Sequence, residues 1–155
     1  MRKRGQVAPD TADNAYTPPS EGGEVPKSLV FETDPDKVDR GTKAHKNTQN
    51  ALADALREAG LEPRSQWPGD PAFDIAWRDD DAGGVAFICE VKSLTDENET
   101  SQMRLAIGQV LDYVHALDSL REAGSLPPHW EGIQAVRAVV AVERQAAKED
   151  RWTGL

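Results

Sequence analysis

The strongest constraint on this chain is a charged pair inside a segment that otherwise reads as a buried strand. The run Val85-Ala86-Phe87-Ile88-Cys89-Glu90-Val91-Lys92 is apolar through Cys89, and its β-branched and aromatic residues favour a central strand. Glu90 and Lys92 stand two apart, so the pleat sends both side chains to one face. Burying a carboxylate and an ammonium costs several kcal/mol unless they are paired or bound to a metal. A solvated pair at a sheet edge would avoid that cost, but the apolar run around this pair argues for burial. A strand carrying such a cost is therefore expected to use it.

Upstream, Phe73-Asp74-Ile75-Ala76-Trp77-Arg78 reads as a second strand with an acid at its start, joined to the first by the turn-rich Asp79–Gly84. Asp74 and Glu90 would then lie at the ends of adjacent strands. Magnesium takes hard oxygen ligands, commonly one or two carboxylates with waters and substrate phosphate completing the shell. Lys92 could orient or deprotonate an attacking water, or stabilise developing phosphate charge. That set matches metal-assisted phosphodiester hydrolysis.

The rest of the chain predicts the frame around this pair. Small and apolar residues at Ala44, Ala51, Leu52, Ala55, Leu56 and Ala59 predict a helix over 40–60, capped at Gly60. Leu61 to Gln66 reads as a short edge strand closed by the turn Trp67-Pro68-Gly69-Asp70-Pro71. A long helix is expected over 99–123, with Met103, Ala106, Ile107, Val110, Leu111, Val114 and Leu117 as its core stripe. Gly124 and Pro127-Pro128 stop it, and Ala135 to Val142 forms a last strand. The order implies an α/β fold, a mixed central sheet of about four strands flanked by helices.

At 155 residues and 16.9 kDa the chain suits one domain. Residues 1–36 are rich in Pro, Gly, Ser, Thr and acids, and predict a flexible N-terminal arm ahead of a 37–155 domain. The basic opening Met-Arg-Lys-Arg has no apolar stretch behind it, so it reads as neither signal peptide nor anchor. No window approaches the ~20 apolar residues of a membrane span. The lone Cys89 excludes an intrachain disulfide and, within an apolar strand, suits an inert thiol in a reducing cytoplasm.

Asp74, then Glu90-Val91-Lys92, resembles the signature of the PD-(D/E)xK nuclease superfamily, the restriction-endonuclease-like fold, and the expected element order is similar to its core. Gln109-Val110-Leu111-Asp112-Tyr113 on the following helix resembles the Gln-x-x-x-Tyr motif of the RecB-type branch. The resemblance covers about residues 40 to 143. It implies that Asp74 and Glu90 bind Mg2+, with Mn2+ as a substitute, and that Lys92 is the catalytic lysine. Gln109 and Tyr113 would contact substrate or brace the site, and His45 on the first helix would join the metal shell. No proline directly precedes Asp74, so Asp70, next to Pro71, competes as a ligand. The implied function is a metal-dependent nuclease hydrolysing DNA, in restriction, phage defence or repair.

A net charge of −9 runs against a broad DNA-coating surface, because non-specific affinity comes from neutralising phosphates. Nucleic-acid contact would be local, weak or helped by a protein partner or a second copy. The alternative is a catalytically inactive nuclease-fold module that docks a protein or DNA partner. His45 also lies on the stripe shared with Leu52 and Leu56, where a hydrogen-bonded core histidine fits equally well. Asp96, Glu97 and Glu99 read as solvated charges at a helix start. His115 and His129 show no partner in sequence. Of Trp67, Trp77, Trp130 and Trp152, one could stack a base, though a strand tryptophan such as Trp77 suits a core.

Overall fold

The computed structural model of the 155-residue chain describes residues 16–18, 35–147 and 152, and for 35–41 the backbone alone. Most of the expected 1–36 arm lies outside the described residues. The elements are α1 (Pro35–Glu58), β1 (Ile75–Asp79), β2 (Val85–Lys92), α2 (Glu99–Glu122) and β3 (Ala135–Val142), with a 3-10 turn at Pro128–Trp130. The fold is mixed α/β: β1 pairs antiparallel with β2, and β3 pairs parallel on the other side of β2.

Among the described residues the sheet has three strands rather than about four. The expected edge strand at 61–66 is reduced to a single bridge, in which Arg64 exchanges backbone hydrogen bonds with Ala76 at 2.7 and 3.0 Å. Pro63 has no N–H to give, and the prolines at 68 and 71 bend the chain away.

Both helices end as their glycines require. Gly60 takes φ +77°, and the Leu61 N–H donates back to the Leu56 carbonyl at 2.8 Å, closing the turn. Gly124, at φ +64°, repeats the arrangement with Ser125 and Leu120.

Alternation along the strands divides the core in two. Ala76, Ala86, Ile88 and Val136 face α2 and pack with Leu117, Trp130 and Ile133. Ile75, Trp77, Cys89 and Val91 face α1 and pack with Ala53 and Leu56. Trp77 stacks on Phe87 with ring centres 5.2 Å apart, so it is spent on packing. Trp130 is fully buried as well. The α2 stripe is narrower than expected: Met103, Ala106, Val110 and Leu117 are buried, whereas Leu111 is 55% exposed. Leu111 follows Val110 by ~100° of helical rotation, which carries it off the sheet-facing seam.

Tyr16 departs from the expectation that nothing in the first 36 residues reaches the core. It is 6% exposed and belongs to the α1-side cluster. An aromatic ring needs no apolar neighbours in sequence to find a seat.

Candidate active site

Asp74 sits one residue ahead of β1, whose register pairs Ile75 with Cys89, and the Asp74 N–H also reaches the Cys89 carbonyl at 3.2 Å, a local irregularity that ends the ladder. Glu90 and Lys92 alternate with the α1-facing Cys89 and Val91 and so lie on the α2 side. All three charged residues stand at the end of the sheet where β1 begins and β2 finishes. Asp74 Oδ2 accepts the Val91 N–H at 2.8 Å, which fixes the carboxylate against β2. Its Oδ1 lies 3.4 Å from His45 Nε2, an ion-pair distance if the ring is protonated and longer than a good hydrogen bond.

Glu90 is buried, and Lys92 Nζ donates to its Oε1 at 2.6 Å. The side chains are 6% and 13% exposed, so the charged pair is buried as its sequence context implies. Burial is the main reason that the Glu90 carboxyl holds its proton to a higher pH than usual. The Lys92 bond opposes that rise, and the Asp74 charge adds to it. Two neighbouring carboxylates without a cation thus work against each other.

From α2, Tyr113 comes close enough for the Glu90 and Asp74 charges to bear on its hydroxyl. Burial first, then those charges, raises its pKa, while a hydrogen bond from Gln109 opposes them. The Oε1 of Gln109 is buried and has no hydrogen-bond partner among the described residues. The structure thus gathers His45, Asp74, Glu90, Lys92, Gln109 and Tyr113 around one end of the sheet. Among the described residues, no three His, Cys, Asp or Glu side chains stand together at metal-holding spacing.

Asp70 is not part of this group. Its carboxylate is fully enclosed: Oδ2 accepts the Trp67 N–H at 3.0 Å, and Oδ1 accepts Trp130 Nε1–H at 3.0 Å and lies 2.8 Å from His129 Nε2. Both oxygens are engaged and enclosed, so it ties the turn to the Pro128–Trp130 segment away from any cation at the sheet end. His129 thereby gains the partner that sequence could not reveal. Glu99 is likewise not solvated. It is 2% exposed, accepting the Ala147 N–H at 2.7 Å and Trp152 Nε1–H at 3.3 Å, with Arg144 at 3.6 Å. Trp152 is thus held at the start of α2. Cys89 is fully buried, and burial pushes its thiol up to about 12, so it is inert at neutral pH.

Gln49 is the residue that motif reading passed over. It is 7% exposed and its amide donates to the Asp74 carbonyl at 2.6 Å. Its spacing of four from His45 places both on one face of α1, which was the signal available. A separate cleft of about 250 Å3 opens at the hairpin end, lined by Arg64, Arg78 and the acids Asp79 to Asp81. It lies at the far end of β1 from Asp74. No helix among the described residues is long and apolar enough to cross a membrane.

No family model matches this sequence, and neither the curated proteins nor the solved structures contain a significant match.

Proposed function

We propose that this chain is a metal-dependent nuclease of the PD-(D/E)xK type, built on a reduced restriction-endonuclease-like core and hydrolysing DNA phosphodiester bonds. The observation that carries the reading is the meeting of Asp74, Glu90 and Lys92 at one end of two paired strands, with His45 of α1 beside Asp74 and Tyr113 of α2 near enough to feel both carboxylates. The donor set fits Mg2+ or Mn2+. Asp74 Oδ1 and Glu90 are oxygen donors with unused lone pairs, His45 offers a nitrogen, and too few protein ligands gather for a closed cage. A bound divalent cation supplies Lewis-acid activation of the phosphate and a more acidic water.

The chain's own residues do the rest. Val91 and Gln49 hold Asp74 by its side chain and its carbonyl, so its free oxygen keeps one direction. Glu90 holds Lys92 at the reacting edge, and Lys92 releases Glu90 Oε1 when that oxygen takes another partner. The ammonium is then available to orient water or to meet phosphate charge. Gln109 Oε1 can accept a hydrogen bond from substrate or from bound water.

The closed Lys92–Glu90 pair also favours a second reading, in which the fold is kept as a docking module and the ion pair survives as structure. Divalent metal separates the two. A nuclease binds Mn2+ by calorimetry and cuts plasmid or duplex DNA; Asp74→Asn and Glu90→Gln abolish cutting, and Lys92→Met retains Mn2+ binding without it. A wild-type chain that takes up no Mn2+ and leaves DNA intact is a docking module.

A further inference from the structure

Tyr16 occupies a seat made by α1 and the segment that follows it. Its ring packs beside Ala53, Leu56 and Trp77, with the Arg57 guanidinium 5.6 Å from the ring centre. Its N–H donates to the Pro63 carbonyl at 3.0 Å, and the Thr17 N–H donates to Ser65 Oγ at 2.9 Å. The Tyr16 hydroxyl donates to Asn50 Oδ1. The residue is therefore tied at both backbone and hydroxyl, from a part of the sequence whose composition offers little else to pack.

Asn50 is the next residue after Gln49, whose amide holds the Asp74 carbonyl, and His45 lies one turn earlier on α1. Successive helical residues point ~100° apart. Apolar contacts such as those of Ala53 and Leu56 are non-directional and resist rotation of a helix about its axis only weakly. Hydrogen bonds are directional. Two of them from adjacent residues, one to the strand and one to the arm, fix that rotation where neither alone would.

We infer that Tyr16 is a positioning residue. Docked on Asn50, it sets the rotation of α1 so that Gln49 holds the Asp74 carbonyl and His45 faces the Asp74 carboxylate, and Tyr16 thereby controls the order of the site. The functional weight of this inference rests on the metal-site reading; its mechanics rest on the two hydrogen bonds of Asn50 and Gln49.

The test compares three variants of the full chain. Tyr16→Phe keeps the ring and removes the hydroxyl; Asn50→Ala removes the acceptor; Leu52→Ala, in the same cluster, loosens packing without touching either hydrogen bond. The readouts are Mn2+ affinity, the split between kcat and KM on duplex DNA, and hydrogen exchange of the Val91 amide, which Asp74 Oδ2 accepts. Tyr16→Phe and Asn50→Ala are expected to weaken Mn2+ binding and lower kcat by on the order of tenfold with KM retained, because small misplacements are costly in a site of this kind. Both should speed Val91 exchange, and the double variant should add nothing. Leu52→Ala is expected to lower Tm while leaving Mn2+ affinity and Val91 exchange in place. Unchanged Val91 exchange in Tyr16→Phe overturns the inference, as do effects that merely follow Tm as in Leu52→Ala. If the wild-type chain takes up no Mn2+, the metal-site reading falls, and the exchange comparison still decides the role of Tyr16.

Discussion

Asp70 and Asp74 flank Pro71-Ala72-Phe73, each with a histidine for a neighbour, and they are used in opposite ways. Asp70 has no exposed side-chain surface and both oxygens occupied by the Trp67 N–H, Trp130 and His129. Asp74 is 24% exposed, with one oxygen held by Val91 and the other facing an imidazole at a distance too long for a good bond. At the same end of the sheet stands Glu90, whose own charge is disfavoured by burial and by Asp74. An enclosed carboxylate with both oxygens engaged is a structural tie. One with a lone pair to spare beside a second acid has bonding capacity that a cation or a proton can take up.

The contrast breaks most easily at Asp70. Asp70→Ala strands three polar groups in the interior and should cost about 4 kcal/mol in urea denaturation. Asp74→Asn should cost less than about 1 kcal/mol, because an oxygen remains for Val91. Equal losses would erase the distinction between the two acids. Next in size is the ion pair. Lys92→Met leaves Glu90 buried without its cation and should destabilise the metal-free protein by about 3 kcal/mol, while the double variant Glu90→Gln/Lys92→Met recovers most of that loss. A double variant as weak as the single one would show that the pair is not the source.

Metal sharpens the comparison further. Mn2+ at a hundredfold excess over its Kd should raise the stability of the wild-type chain by about 2.7 kcal/mol. Asp74→Asn should lose that gain, and Asp70→Asn, where it folds, should keep it. Thermal scans with and without Mn2+ read both. The smallest effect is in pH. The folded Glu90 carboxyl titrates above its ordinary value of 4.5, with burial as the main cause. Between those two values the folded state holds more protons than the unfolded one, so stability is full below the ordinary value and declines as pH rises through the folded value. Glu90→Gln should flatten that decline in the metal-free protein. An unaltered slope would assign the decline to another group.

Much of the frame was legible because its signals are local. Periodicity placed β2 and β3 at their observed bounds, and Gly60 and Gly124 stopped their helices through φ values that other residues resist. The juxtaposition of Asp74 with Glu90 followed from a short hairpin. Contacts between distant segments were not legible. Asp70 meets Trp130 and His129, Glu99 meets Ala147 and Trp152, and Tyr16 meets Asn50, each across a separation that no window of periodicity spans. For the same reason an acid in a turn, such as Asp70, read as a free ligand, and an acid at a helix start, such as Glu99, read as solvated.

The mixed sheet also sets an order of assembly. β1 and β2 are joined through residues 80–84, so their pairing closes a short loop, and Asp74 can meet Glu90 as soon as the hairpin forms. β3 pairs with β2 only after the intervening chain, with α2 in it, has closed a loop of roughly fifty residues. During synthesis the hairpin emerges after α1 but before α2 and β3, with the β3-facing edge of β2 unpaired and the α2-facing Ala86 and Ile88 uncovered. The rate at which β3 arrives then fixes how long the most aggregation-prone edge of the chain is exposed to other chains.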